Sequence, residues 1–113
     1  MFDEYLHYRE TTYNEPFVEF SIDEDYKLYV DGRPRYEGVN AFLNSRNINI
    51  EYGNESDCPG LSTICSLGNL KNEKFSRLIE LEGVELYDST IALIKELKSR
   101  NILTAVASSS RNC

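Results

Sequence analysis

At 113 residues, 41% of them hydrophobic, the chain has the size of a single domain and can bury a small core. Its formal charge of -7 argues against DNA or RNA as a partner, because such affinity rests largely on Lys and Arg neutralising phosphates. No apolar run reaches the roughly 20 residues of a bilayer span, and MFDEYLHYRE turns acidic at its third residue, unlike a basic secretion leader; the expectation is a cytoplasmic protein with no membrane contact.

Three cysteines, Cys58, Cys65 and Cys113, are an odd number without CxxC spacing. With His7 as the sole histidine they make a poor zinc set, so free thiols in a reducing compartment are expected.

Phe2, Tyr5, Leu6 and Arg9 fall on one side at helical spacing, which predicts an amphipathic helix over residues 2–13, starting uncapped at Met1. Asn14, Glu15 and Pro16 break it. Ser21 with Glu24 three residues on is a capping-box pattern that opens a second helix carrying Tyr26, Leu28, Tyr29 and Val30. Asp31-Gly32 ends that helix, and Pro34 suits the first turn of a third, with Val39, Phe42 and Leu43 on its apolar side.

Residues 47–60 are polar and rich in turn formers, and read as a loop. A helical stretch follows to about Glu82, with an interruption expected at Gly68-Asn69 and an apolar face at Phe75, Leu78 and Ile79. Gly83 stops it. Asp88 or Ser89 is expected to cap a last helix whose Ile91, Ile94 and Leu97 repeat every three residues, with Leu93 widening the stripe. After residue 101 the period changes, and residues 102–107 form a short uncharged apolar run that reads as a strand buried on both faces. Such a strand needs parallel neighbours, and the chain offers no second candidate.

The chemistry concentrates where that strand ends in ILTAVASSSRN, residues 102–112. Hydroxyls and open amides after a buried strand make an anion site; a plain polar turn is the structural alternative. The longer run YDSTIALIKELKSRNILTAVASSSRN, residues 87–112, resembles the entry into the second conserved motif of haloacid dehalogenase superfamily phosphotransferases of the β-phosphoglucomutase-like group. The resemblance implies that Ser108 donates its hydroxyl to the transferring phosphoryl group, that the Ser109 amide assists, and that Ser110, Arg111 and Asn112 line the same phosphate pocket. Upstream, DGRPRYEGVNAFL (31–43) is similar to the family's substrate-facing cap segment, with Gly32 and Arg35 at the matching positions, and LGNLKNEKF (67–75) to a later cap helix with Lys71 and Asn72 as its Lys-Asn pair. In such mutases the cap arginine and lysine hold the distal phosphate of a phosphorylated sugar. Ordinary solvated charge is the competing reading of both side chains.

The same resemblance sets an expectation for the architecture: mainly α, a helical cap-type bundle over residues 1–84, then the start of an incomplete Rossmann-like α/β core over residues 85–113 with a single β-strand. It also implies Mg²⁺ in the full-length family, and an Asp-x-Asp nucleophile strand, a lysine motif and acidic metal ligands that this sequence does not contain. Asp23, Glu24 and Asp25 fall where a helix begins, so they complement its dipole rather than bind metal. MFDEYL is similar to the helix that follows the nucleophile strand, so the chain is expected to be a fragment that binds no metal and does not turn over alone. The alternative function is a non-catalytic helical interaction module whose Tyr and Phe residues form a protein-binding surface; separately, the exposed strand is expected to allow self-association through Leu103 and Val106. With one histidine and no Gly-x-Ser-x-Gly, an independent Ser-His-Asp or Cys-His hydrolase is disfavoured.

Overall fold

A computed structural model describes residues 1–110. The order is α1 (Phe2–Tyr13), α2 (Ile22–Val30), α3 (Arg35–Ser45), α4 (Ile64–Glu82) and α5 (Asp88–Ser99), with no strand among the described residues. The mainly helical expectation holds.

The core is built from the apolar sides of α1, α3 and the first turns of α4. Phe2, Tyr5 and Leu6 of α1 meet Val39, Phe42 and Leu43 of α3, with Ile64, Cys65 and Leu67 of α4 completing the cluster. Phe42 is fully buried, with the Phe2 ring at 4.5 Å and the Phe20 ring at 5.0 Å between centroids. Two polar ties close the bundle: the Phe20 amide donates to Asp3 Oδ1 at 2.8 Å, and Lys74 of α4 reaches Glu4 of α1 at 2.6 Å.

Asparagines in the left-handed conformation follow three of the helices, Asn14, Asn47 and Asn101, each with φ near +57°. Asparagine tolerates that conformation better than most side chains, which lets the chain leave each helix sharply.

Half of the capping box expected at the second helix forms, Ser21 Oγ accepting from the Glu24 amide at 3.2 Å, while the Ser21 amide donates to Asp25 Oδ2 at 2.9 Å and not to Glu24, and the helix is π-wound. The Tyr26 amide donates to Ser21 O and the Asp31 amide to Tyr26 O, each five residues back. Over nine residues, apolar spacing does not separate the two windings.

Three expectations are corrected. The Gly68-Asn69 interruption does not exist: α4 runs unbroken through both, because the missing Cβ at Gly68 admits the Tyr36 ring of α3 instead of bending the helix. Neither Asp88 nor Ser89 caps α5, which starts after Tyr87 without a side-chain cap. The strand at residues 102–107 is not formed. This segment lies exposed, Leu103 at 98% and Val106 at 85%, because no second strand is present among the described residues to pair its backbone groups. The helix before it has an apolar stripe and no buried residue.

Cys58, exposed, and Cys65, in the core, are not joined in a disulfide. Cys113 lies outside the described residues. No helix among the described residues is long and apolar enough to cross a membrane.

Candidate functional site

A cleft of about 520 Å³ opens between the α2–α3 turn and the middle of α4. Its floor is set by backbone geometry. The turn tightens as the Arg33 amide donates to Val30 O at 3.2 Å, with Gly32 at φ +68°, a conformation that side chains rarely adopt. A Cβ at Gly32 would meet nothing within 4 Å, so backbone conformation and not space selects glycine there. Pro34 then precedes α3, and Arg35 is the first residue of that helix, which aims its side chain across to α4.

On α4, Asn72 Oδ1 accepts from Arg35 Nη2 at 2.8 Å, and Lys71 sits beside it. Burial, and secondarily the positive charge of Arg35, hold the Lys71 ammonium below its ordinary pKa. Lys71 has no carboxylate within ion-pair distance among the described residues. Two cations are thus brought together in a partly desolvated setting, where a bound anion would relieve the repulsion between them. Tyr26 and Phe75 supply aromatic walls, and Ser109 and Ser110 of the C-terminal segment close one side.

Of the residues singled out in the sequence, Gly32, Arg35, Lys71, Asn72, Ser109 and Ser110 line this one cleft. Ser108 does not line it; its Oγ accepts from the Ser110 amide at 3.0 Å, closing a small local turn. Arg111 and Asn112 lie outside the described residues. Sequence reasoning missed Tyr26, Arg33 and Phe75. Phe75 follows Lys71 by four positions, so it shares a helix face with it, and that spacing was available as a signal.

The acidic residues do not gather. No group of three His, Cys, Asp or Glu side chains is placed to hold a metal ion among the described residues, and the cleft itself carries Arg33, Arg35 and Lys71. With Asp31 as the single carboxylate beside those three cations, the lining does not fit Mg²⁺, which takes oxygen ligands and usually more than one carboxylate or phosphate. Asp23 pairs with Lys27 at 2.8 Å, while Asp25 turns inward to Arg46 at 2.7 Å. His7 is exposed, stacked on Phe17 at 3.8 Å and 3.2 Å from Glu10, in no arrangement with a nucleophile.

Two curated relatives match, each called β-phosphoglucomutase, from Mycobacterium bovis and Mycobacterium tuberculosis. Each is 38% identical over 112 residues, 99% of this chain and 43% of the relative. The chain is thus similar to these two β-phosphoglucomutases along one part of their length. It spans less than half the length of these relatives, and the aligned region takes in nearly all of it. No protein-family model matches the chain.

Proposed function

We propose that this chain supplies the substrate-specificity cap of a β-phosphoglucomutase-like phosphotransferase of the haloacid dehalogenase superfamily, and binds the distal phosphate of a phosphorylated sugar. In this reading residues 1–84 are the cap, and residues 85–113 begin the Rossmann-like core. Arg35 presents a planar fork of donors and Lys71 a point charge, a pairing suited to a phosphate dianion. Gly32 leaves the turn bare of side chain at the mouth, and Asn72 steadies Arg35. In the same reading Ser108, Ser109, Ser110, Arg111 and Asn112 contribute a second phosphate site in a full-length phosphotransferase.

The observation that carries the reading is the meeting of Arg35 and Lys71 in one cleft from positions 36 residues apart, with the Lys71 ammonium partly desolvated. Turnover needs a nucleophile and metal ligands, and among the described residues no group of three His, Cys, Asp or Glu side chains is placed to hold a metal, so this reading assigns Mg²⁺ chemistry to a full-length phosphotransferase. The chain is expected to bind without releasing phosphate.

The test is an NMR titration with inorganic phosphate and glucose 6-phosphate. Saturable shifts at Arg35, Lys71 and Asn72 amides, weakened roughly tenfold or more by R35A or K71A, support it. Absence of any saturable shift rejects it.

A second reading, a non-catalytic helical interaction module, is favoured by one observation: α5 and residues 102–106 expose Leu93, Ile102, Leu103 and Val106 together. Self-association through Leu103 and Val106 is its simplest form.

A further inference from the structure

The cleft cations are held by a joint that lies behind them, where α3 crosses α4. At its centre is Gly68. A Cβ on Gly68 would stand 2.6 Å from Tyr36 Cδ1, 2.9 Å from Tyr36 Cε1 and 3.3 Å from Arg35 Cγ. The first two distances are shorter than real Cβ atoms show, and the neighbour is a ring buried to 6% exposure, so it has little freedom to yield. In a mid-helix position glycine costs about 1 kcal/mol relative to alanine. Some gain elsewhere offsets that cost, and the close approach of Arg35 and Tyr36 is what the position contains.

The polar groups around the contact form a ladder along the same face of α4. One turn on from Gly68, Asn72 Oδ1 accepts from Arg35 Nη2 at 2.8 Å. Beside Gly68, Asn69 Oδ1 accepts from the Tyr36 hydroxyl at 2.9 Å. The Asn69 amide nitrogen donates in turn to Asp57 O at 2.8 Å and Glu55 O at 3.1 Å, which fastens the loop between α3 and α4 to the same joint. Tyr36 is therefore held at both its ring face and its hydroxyl, and Arg35, the residue before it, extends along the crossing to Asn72 in the cleft lining.

We infer that Gly68 and Asn69 are positioning residues which, through Tyr36, set the aim of Arg35 into the cleft beside Lys71. This deepens the phosphate-binding reading and rests on it for its function, although the joint itself is a property of the fold. The other charges lining the cleft, Asp31 and Arg33, sit on the α2–α3 turn, outside the joint.

The experiment uses the full chain with lysine side chains isotopically labelled, comparing the unaltered protein with G68A and N69A. Two quantities are read in each: the NMR titration midpoint of the Lys71 ammonium, and the dissociation constant for inorganic phosphate. If Arg35 is displaced, Lys71 loses a neighbouring positive charge, so its midpoint rises toward that of the exposed lysines, and phosphate binding weakens roughly tenfold. A merely structural role would leave the Lys71 midpoint where it is as long as circular dichroism shows a folded chain. Y36F keeps the ring on Gly68 and loses only the hydroxyl, and is expected to fall between the unaltered protein and G68A. Should G68A not fold, N69A carries the test, since it removes the Tyr36 acceptor without adding an atom to the crossing. Unchanged Lys71 midpoints in folded G68A and N69A overturn the inference. Absence of phosphate binding by the unaltered chain counts against the cleft reading alone, with the Lys71 midpoint still deciding the joint.

Discussion

Arg46, just past the end of α3, holds the segment that leads into α2. Its guanidinium donates to Asp25 Oδ2 at 2.7 Å, to Glu19 O at 3.1 Å and to Val18 O at 3.3 Å, and lies over the Phe42 ring at 5.4 Å. Asp25 Oδ2 also accepts from the Ser21 amide at 2.9 Å. With side chains only 21% and 11% exposed, removing one partner strands a charge with few waters to replace it. R46A is expected to lower the unfolding free energy by about 2 kcal/mol, less than for a wholly buried pair. R46K, lacking the planar fork, should recover under half of that. Urea denaturation checks both, and a loss within ~0.5 kcal/mol would reduce the pair to an ordinary surface contact. The three consecutive acids at 23–25 were legible in sequence as first-turn charges, and Asp23 and Glu24 fit that account. Asp25 departs from it because its partner lies 21 residues away, at a distance no local pattern encodes.

The elements were legible where a periodic apolar face and a stop signal coincide. The first helix and the third show this: Phe2, Tyr5 and Leu6, then Val39, Phe42 and Leu43, are all buried, and an asparagine marks each exit. Legibility failed where the deciding fact belongs to another element. Gly68 reads locally as a helix weak point, but its neighbour in space is a tyrosine 32 positions earlier. Residues 102–107 read as a strand because their composition suits one, while a strand exists only with a partner to pair with. The cleft was legible in its charged members and not in its walls, since Tyr26 and Phe75 are unremarkable as aromatics until the turn and α4 converge on them. The same contrast predicts unequal local stability. Amides of α3, flanked by the core, should exchange slowest, and those of α5, with no buried residue, should approach unprotected rates. Native-state hydrogen exchange measures this directly; protection in α5 equal to that in α3 would mean that its apolar stripe is covered in solution.

At the scale of the whole molecule the shape is elongated, 60 × 28 × 27 Å, with a radius of gyration of 17.7 Å against about 13 Å for a compact domain of this length. The excess comes from the C-terminal end of α4 and from α5, which project with Leu81 at 84%, Leu86 at 63% and Leu93 at 57% exposure. Apolar surface gathered on one arm favours association, whereas a net charge of -7 on each chain opposes it. The two terms respond differently to salt: added ions screen the repulsion between chains and leave apolar burial nearly untouched. Self-association is therefore expected to strengthen as ionic strength rises, the reverse of an assembly held by complementary charges. Leu103 and Val106 are the most exposed apolar side chains of the segment beyond α5, so replacing both by aspartate removes attraction and adds repulsion at the same place. Sedimentation velocity over a concentration series, at low and moderate salt, should show dimer growing with salt in the unaltered chain and only monomer in the L103D V106D double variant. A dimer that survives those two substitutions would place the contact elsewhere, on the α4 and α5 stripes. A strict monomer at every concentration and salt would mean that the exposed arm does not pair with a second copy.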